Sequence, residues 1–378
     1  MAVVVIIPTF QRPETLVWSL QSVLMQDVRA ISPSEELRIV ILNNDPGTKD
    51  KVEAAVRKSL VFADKHGFNR VTTIHRDPPL LGIFNLYLGL KEYTSDGDIA
   101  FLHGDDDIMI SGTLVRRYQV ARNSNAAFNI GKTSGKMFFF KNDPCIYVDD
   151  KEISNITATQ LNWRWASKQD LTAYSLPFVS AYCYRMGPEF WSCYNQAKGW
   201  ADALPLESKI RLPFLPFYIG LAAWVNKCLA VMPEEVVRRG QLLQSRGLLP
   251  PRVITEYANT GIILQTGLAV TSNEFLGAVE DLDDVRNGLK SAVSEYLFFS
   301  LYRRDGVSLG QLKALWAQTK VSLWRGNFLL RAVFCACTTI AKNIFMLNNL
   351  RNRLSGWGRR LSSENFWALW DINQRTNS

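Results

Sequence analysis

Apolar and polar positions change in blocks along the first 125 residues. Ala2 to Ile7 is an unbroken apolar run rich in β-branched side chains, which predicts a buried parallel strand. Pro8-Thr9-Phe10-Gln11-Arg12-Pro13 follows as a loop. From Glu14 to Gln26 the apolar positions fall at 16, 17, 20, 23 and 24, a helical spacing. Leu37–Leu42 predicts a second strand, ended by Asn43-Asn44-Asp45-Pro46-Gly47. A charged amphipathic helix is expected over Lys49–Ala63, a strand over Val71–His75 and a helix over Gly82–Tyr93. A fourth strand is expected over Asp98–His103. Gly104-Asp105-Asp106-Asp107 closes it, and Ser111–Arg122 is helical.

Such alternation predicts an α/β fold with a doubly wound, mostly parallel sheet, because parallel neighbours need crossover helices. Ligands bind these sheets at the carboxyl ends of the strands. The polar clusters at 8–14, 43–45, 76–85 and 103–107 all follow predicted strands, so they should meet at one edge. Residues 128–180 read as short strands and loops. Residues 181–247 mix aromatics with prolines at 188, 205, 213, 216 and 233. Leu249-Pro250-Pro251 marks a boundary, and a mainly helical C-terminal region follows. The expected domains are 1–247, in halves 1–125 and 126–247, and 248–378.

At 378 residues the chain exceeds a typical single domain of about 100–200 residues. With 47% hydrophobic and 21% charged residues it is globular rather than disordered. Its six cysteines form no CxxC pair and it has three histidines, so neither a disulfide framework nor a structural zinc site is expected. The opening apolar run stops at Pro8 with no basic residue before it, which does not read as a secretory leader. A reducing, cytoplasmic setting is the simplest expectation. The net charge of +8 is concentrated at one end: residues 321–378 hold eight Lys/Arg against two acids.

His103-Gly104-Asp105-Asp106-Asp107 is the sharpest chemical signal. Adjacent carboxylates repel and raise one another's pKa unless a cation or donors compensate. A divalent ion does so, and hard oxygen ligands suit Mg2+ or Mn2+. The bland alternative is a solvated acidic turn before the next helix.

VVVIIPTFQRPETLVWSLQSVLMQ, IVILNND and GDIAFLHGDDDIMISGTL, in this order and spacing, resemble family-2 glycosyltransferases with a GT-A fold. The resemblance covers roughly residues 1–125, continues weakly to about 247, and does not reach the C-terminal third. It implies that 1–125 is the nucleotide-sugar half and 126–247 the acceptor half. It also implies a GT-A-like sheet and a metal-dependent, inverting transfer of sugar from a nucleotide-diphosphate sugar to a saccharide hydroxyl, on acceptors that include lipid-linked ones, in surface polysaccharide synthesis.

Residue by residue, the resemblance places Pro8 and Thr9 beside the nucleoside, with Arg12 and Glu14 on the same lip. Arg12 and Glu14 read equally well as a helix start, with Pro13 at the first helical position. Asn43 stands where the family has its base-reading Asp, and Asp45 is the alternative; both also read as a plain turn. Arg76 follows the third strand, with Asp77 beside it. Asn85 lies in a stretch that resembles the family's donor-holding segment. For the metal, Asp106 is the principal ligand, with Asp105 also reaching the ribose and Asp107 in support. A shift by one residue makes Asp105 and Asp107 the pair. His103 either meets a phosphate or packs. The pair Arg238 and Arg239 resembles a basic segment after the last strand, near the pyrophosphate. The family's general base is a carboxylate in the second half of the domain. In GWADALPLESKIRLPFLPFYIGLAAW the candidates are Asp202, flanked by alanines, and Glu207, with Glu189 a weaker third.

Beyond the resemblance, residues 327–349 place Arg331, Thr338, Lys342 and Asn349 on one narrow polar stripe of a helix, followed by Arg351, Arg353, Arg359 and Arg360 among Trp357, Phe366, Trp367 and Trp370. Basic residues mixed with aromatics suit an anionic membrane surface, so peripheral attachment to the inner face of the membrane is expected; the alternative is a helix packed within its own domain or dimer. Nucleic acid is not expected as a partner. Two competing readings remain. A nucleotidyltransferase needs a Gly-rich basic loop after the first strand, and PTFQRPE is not one. A non-catalytic nucleotide or sugar binder has little use for three adjacent carboxylates.

Overall fold

The apolar run at the N-terminus forms the centre of a mixed sheet. In the computed structural model, which describes residues 1–26, 28, 31, 35–61, 70–80, 82–140, 146–148, 162–167, 170–174, 178–202, 215–243 and 359–361, β1 spans Ala2–Thr9. It pairs in parallel with β2 (Glu36–Asn43) on one side and β4 (Ile99–Leu102) on the other. β3 (Arg70–His75) extends the parallel ladder beyond β2. Helices α1 (Pro13–Leu24), α2 (Lys49–Leu60) and α3 (Gly82–Tyr93) make the crossovers. The α/β, doubly wound plan expected from the periodicity is present.

The two pleat faces of β1 carry different layers. Val3, Val5 and Ile7 pack with Leu16, Leu20 and Val23 of α1, Val52 and Val56 of α2, and Leu114 and Tyr118 of α4 (Thr113–Ser124). On the opposite face Gly89 of α3 lies against Leu42 and Ile6. There the close approach leaves no room for a Cβ without moving the Leu42 side chain.

Past residue 125 the chain departs from the expected short strands. β6 (Phe128–Phe140) runs for 13 residues and pairs in parallel with β10 (Leu229–Leu243). The sheet order is β11-β7-β6-β9-β4-β1-β2-β3, with β7 at Ile146–Val148, β9 at Tyr182–Arg185 and β11 at Arg359–Leu361. The small strands β5 (Ile108–Met109) and β8 (Arg164–Trp165) both pair antiparallel with β10. Arg238 and Arg239 were expected after the last strand of the domain; they lie inside β10. That placement rested on the resemblance alone; β10 also includes Pro233, which cannot donate to a ladder. Here the β6 register jumps between Val231 and Glu235, so the proline sits in an irregular stretch where no donor is required. Three further helices are α5 (Asp170–Ala173), α6 (Pro188–Asp202) and α7 (Leu215–Val225). Phe190 of α6 packs on the Phe128 and Tyr184 rings, each with a centroid separation of 5.3 Å.

The chain forms two units. One comprises Met1–Tyr194, Gly220–Leu243 and Trp357–Ser378 and holds the whole sheet; the other comprises Asn195–Ile219 and Gln244–Gly356. In the second unit Trp200 meets Tyr218 edge to face at 6.4 Å. The expected helical region 248–378, including the basic and aromatic stretch, lies outside the described residues except for β11. Among the described residues no helix is long and apolar enough to cross a membrane.

One prediction tests the β6–β10 contact. A Cβ at Gly131 would stand 2.4 and 2.6 Å from the two Cγ atoms of Val236, whose β-branched side chain has little freedom to yield. Gly131→Ala is expected to cost about 1–3 kcal/mol by overpacking. Gly199→Ala, on an exposed helical position with open space around it, should gain about 0.5–1 kcal/mol. Urea midpoints of the two variants should move in opposite directions.

Candidate functional site

The chain leaves β1 toward β2 and β3 on one flank, then returns to β4 on the other. A doubly wound sheet opens a crevice where the strand order reverses in this way. The carboxyl ends of β1 and β4 border it, and they carry Thr9-to-Pro13 and His103-to-Asp107.

Side chains from the two loops meet. Thr9, buried at the end of β1, donates its hydroxyl to Asp105 Oδ2 at 2.8 Å. Arg12 reaches across from the start of α1. Its Nη1 donates to Asp106 Oδ2 at 2.9 Å and to Asp105 Oδ1 at 3.3 Å. Between them Gln11 takes a left-handed backbone, φ 57°, which costs a residue with a side chain about 1–2 kcal/mol and turns the chain sharply enough to start α1 at Pro13. Burial pushes the Asp105 carboxyl up to about 6; Arg12 opposes this, Asp106 adds to it, and hydrogen bonds from Thr9 and the Phe10 backbone oppose it again. One guanidinium therefore does not fully offset the desolvation of this carboxylate beside a second one.

Asp107 takes a different direction. Its Oδ2 accepts from Ser180 Oγ at 2.6 Å, and its Oδ1 accepts from the Gly240 backbone N–H of β10 at 3.2 Å. Gly104 makes this fold-back possible: a Cβ there would stand 2.5 Å from Asp107 Oδ2. The Gly104 N–H donates to Ser180 Oγ at 2.7 Å, and its carbonyl accepts from Ser19 Oγ at 2.7 Å. Beneath lies Arg117, wholly buried, which donates Nη2 to the carbonyls of Ser180 and Tyr182 and stands 5.0 Å from the centre of the Phe101 ring. His103 is also wholly buried. Burial, and then the Arg117 charge, pull its pKa down to about 3, so its ring is neutral and packs beneath the loop.

The second wall is a set of amides. Asn43 donates Nδ2 to the Asp45 carbonyl (2.9 Å) and to His75 Nδ1 (3.0 Å), and accepts at Oδ1 from the Asp45 N–H (3.1 Å) and Thr48 Oγ1 (3.3 Å). These four bonds use the amide's full capacity. His75 Nδ1 must accept, so its Nε2 carries the proton and donates to Glu53 Oε1 at 2.9 Å. Asp45 caps the 3-10 turn Pro46–Thr48 through Gly47. Asn44 grips the backbone of Leu80 at both N–H and carbonyl. Arg76 donates Nε to Asn85 Oδ1 at 3.0 Å and pairs with Glu92, while Asn85 also bonds the Leu42 carbonyl.

The structure thus brings Thr9, Arg12, Asp105 and Asp106 together, and joins Arg76 to Asn85. Pro8 is a half-buried β1 residue, and Glu14 is exposed in the first turn of α1. Arg238, buried in β10, pairs by backbone with Ile108, next to Asp107. Glu189 is exposed in the first turn of α6. Asp202 ends α6, exposed and ion-paired with Lys198, and belongs to the second unit. Glu207 lies outside the described residues. Ser180, Gly240, Arg117 and His75 were not among the sequence candidates; only a histidine ending a predicted strand was legible, since the other three are placed by distant chain segments.

Among the described residues no three His, Cys, Asp or Glu side chains converge to hold a metal. The Asp105–Asp106 pair nonetheless fits Mg2+ or Mn2+, which bind through one or two carboxylates plus substrate phosphates rather than a full protein cage. Burial, the largest cause of the raised Asp105 pKa, penalises its bare negative charge, and a bound cation would offset that penalty. Asp105 is protonated more readily folded than unfolded, so in chelator its contribution favours folding at about pH 4 and fades as pH rises through 6. Asp105→Asn should therefore raise the melting temperature relative to wild type more at pH 8 than at pH 4, as read by paired thermal melts.

No protein-family model and no curated protein matches this sequence. Solved structures do. TarS of S. aureus, residues 1–349, in complex with UDP-GlcNAc, is similar over 100% of this chain and 92% of its own, at 12% identity and a TM-score of 0.43. The same protein in complex with UDP gives a TM-score of 0.42 at 12% identity and the same coverage. The mannosyltransferase PcManGT from Pyrobaculum calidifontis, in complex with GDP-Man and Mn2+, is similar over 90% of this chain and 86% of its own, at 12% identity and a TM-score of 0.44.

Proposed function

We propose that this chain is a glycosyltransferase that moves a sugar from a nucleotide-diphosphate sugar to a hydroxyl of a saccharide acceptor, with inversion. The observation that carries this reading is the Asp105–Asp106 pair, under-compensated by Arg12 and fixed by Thr9, at the crevice where the strand order reverses. A diphosphate brings two or more negative charges, which a carboxylate site meets only if a cation comes between them. A carboxylate pair that tolerates added positive charge is suited to a phosphate ligand that arrives with a cation. A nucleotidyltransferase would need a Gly-rich loop after β1; that loop has no glycine and places Gln11 in the left-handed region instead.

In this reading Asp105 and Asp106 hold a Mn2+ or Mg2+, which when bound neutralises charge on the departing diphosphate. Thr9 fixes the rotamer of Asp105. Arg12 keeps the carboxylates together and offers a planar fork suited to phosphate oxygens. Arg238 is a buried arginine of β10 whose backbone pairs with Ile108, and it is the nearest candidate to the segment that the resemblance puts by the pyrophosphate. Asp107 does not face the pair; its role is to hold the loop through Ser180 and Gly240. Pro8, Asn43, Asp45, Arg76 and Asn85 shape the nucleoside wall rather than present free donors. A carboxylate removes the proton of the acceptor hydroxyl on the face opposite the leaving diphosphate. Asp202 is the first candidate and Glu207 the second.

Calorimetric titration with Mn2+ and UDP or GDP tests the donor site. Nucleotide binding should require the metal. Asp106→Ala should abolish it and lower turnover by at least about 10²-fold, the scale of losing one group that stabilises developing charge, while the melting temperature holds or rises. Metal-independent binding, or turnover retained in the variant, removes the reading. The base assignment is tested separately: Asp202→Asn should keep donor binding and lose transfer, measured with a screen of sugar nucleotides, and the same result from Glu207→Gln alone transfers the role to Glu207.

A further inference from the structure

Two thiols outside the acidic site lie against each other. Cys193 on α6 and Cys228, in the turn before β10, are separated by 3.5 Å between sulfurs. Cys193 is buried and Cys228 half-buried, so Cys228 is the more accessible residue of the pair. The surroundings are polar for a core contact: Asn226 Nδ2 donates toward Cys193 Sγ at 3.7 Å, and Cys228 Sγ lies 3.4 Å from the Ala223 carbonyl. A simple packing contact between small apolar residues needs no such donors.

We propose that Cys193 and Cys228 are a thiol–disulfide couple that reacts with low-molecular-weight disulfides. Both belong to the same unit of the chain, so closing the bond joins α6 to the start of β10 within one packed body.

The pair titrates as one system. The S–H of one cysteine stabilises the thiolate of the other, and Asn226 adds a second donor. The first proton therefore leaves more easily than from an isolated thiol, and the second is held more tightly. Burial and Glu189, one turn earlier on α6, oppose ionisation, so the gain comes from the shared proton rather than from a nearby cation.

The chemistry balances as two exchanges. Half-buried Cys228 attacks one sulfur of a small disulfide RSSR as its proton passes to the Cys193 thiolate 3.5 Å away, forming a mixed disulfide and releasing RS−, which takes up the proton that Cys193 first gave to solvent. Cys193, as thiolate, then attacks the Cys228 sulfur, forms the Cys193–Cys228 bond and expels the second RS−, which is protonated in turn. Two cysteine thiols are oxidised and one RSSR is reduced to two RSH.

The test uses the full chain, folded, incubated with excess oxidised glutathione, then alkylated, digested and weighed by mass spectrometry. The expected product is a linked peptide pair containing residues 193 and 228, two hydrogen masses lighter than the reduced peptides and restored by dithiothreitol. Cys193→Ser should stop at a glutathione adduct on Cys228. Wild-type protein with glutathione retained on Cys228 and Cys193 alkylated overturns the proposal. So does protein with both thiols alkylated. Neither result depends on sugar transfer or on the donor site.

Discussion

The site depends on how a buried carboxylate, Asp105, and a half-buried one, Asp106, share a single guanidinium. Asp105 and Asp106 are drawn together on one guanidinium nitrogen of Arg12 rather than driven apart into solvent. Arg12 is the partner that matters here, because without it the buried Asp105 charge would have lost both water and its counter-ion. The arrangement persists because Thr9 and the Phe10 backbone also bond the carboxylate, and because β1 and β4 are neighbours with a fixed register.

Behind that pair the loop is held by bonds that cross long stretches of sequence. Ser180 joins the Gly104 N–H to Asp107, and Arg117 holds the Ser180 carbonyl from below. Asp107 links β4's loop to the backbone of β10. The acidic turn is therefore bound to the turn before β9 and to β10 at once, with Arg117 of α4 holding that turn. Its three aspartates divide the work: two face Arg12 and one fastens the loop.

Apart from the two-residue β5, the order of strands and helices through residue 124 was legible because buried parallel strands leave long apolar runs and their crossover helices leave a 3.6-residue spacing. The same logic located the acidic loop and Arg12. It did not separate Asp107 from its neighbours, since adjacency in sequence gives no sign that Gly104 permits a fold-back onto Ser180, 73 residues away from Asp107. Asn43 was legible as a turn residue, and its amide is spent there. β10 was hidden by Pro233, which breaks strand pattern locally even though the ladder resumes around it. Cys193 and Cys228 carry no signature at all, because a helix and a strand entry bring them together.

The amide wall beside β2 has a consequence for recognition. Asn43 and Asn44 are stapled to Asp45, His75 and Leu80, so the rim they form is set before anything docks. A flat heterocycle arriving there would meet a mould rather than a yielding surface, and little ordering entropy would be lost on contact. Discrimination between rings would then rest on outline and on backbone groups.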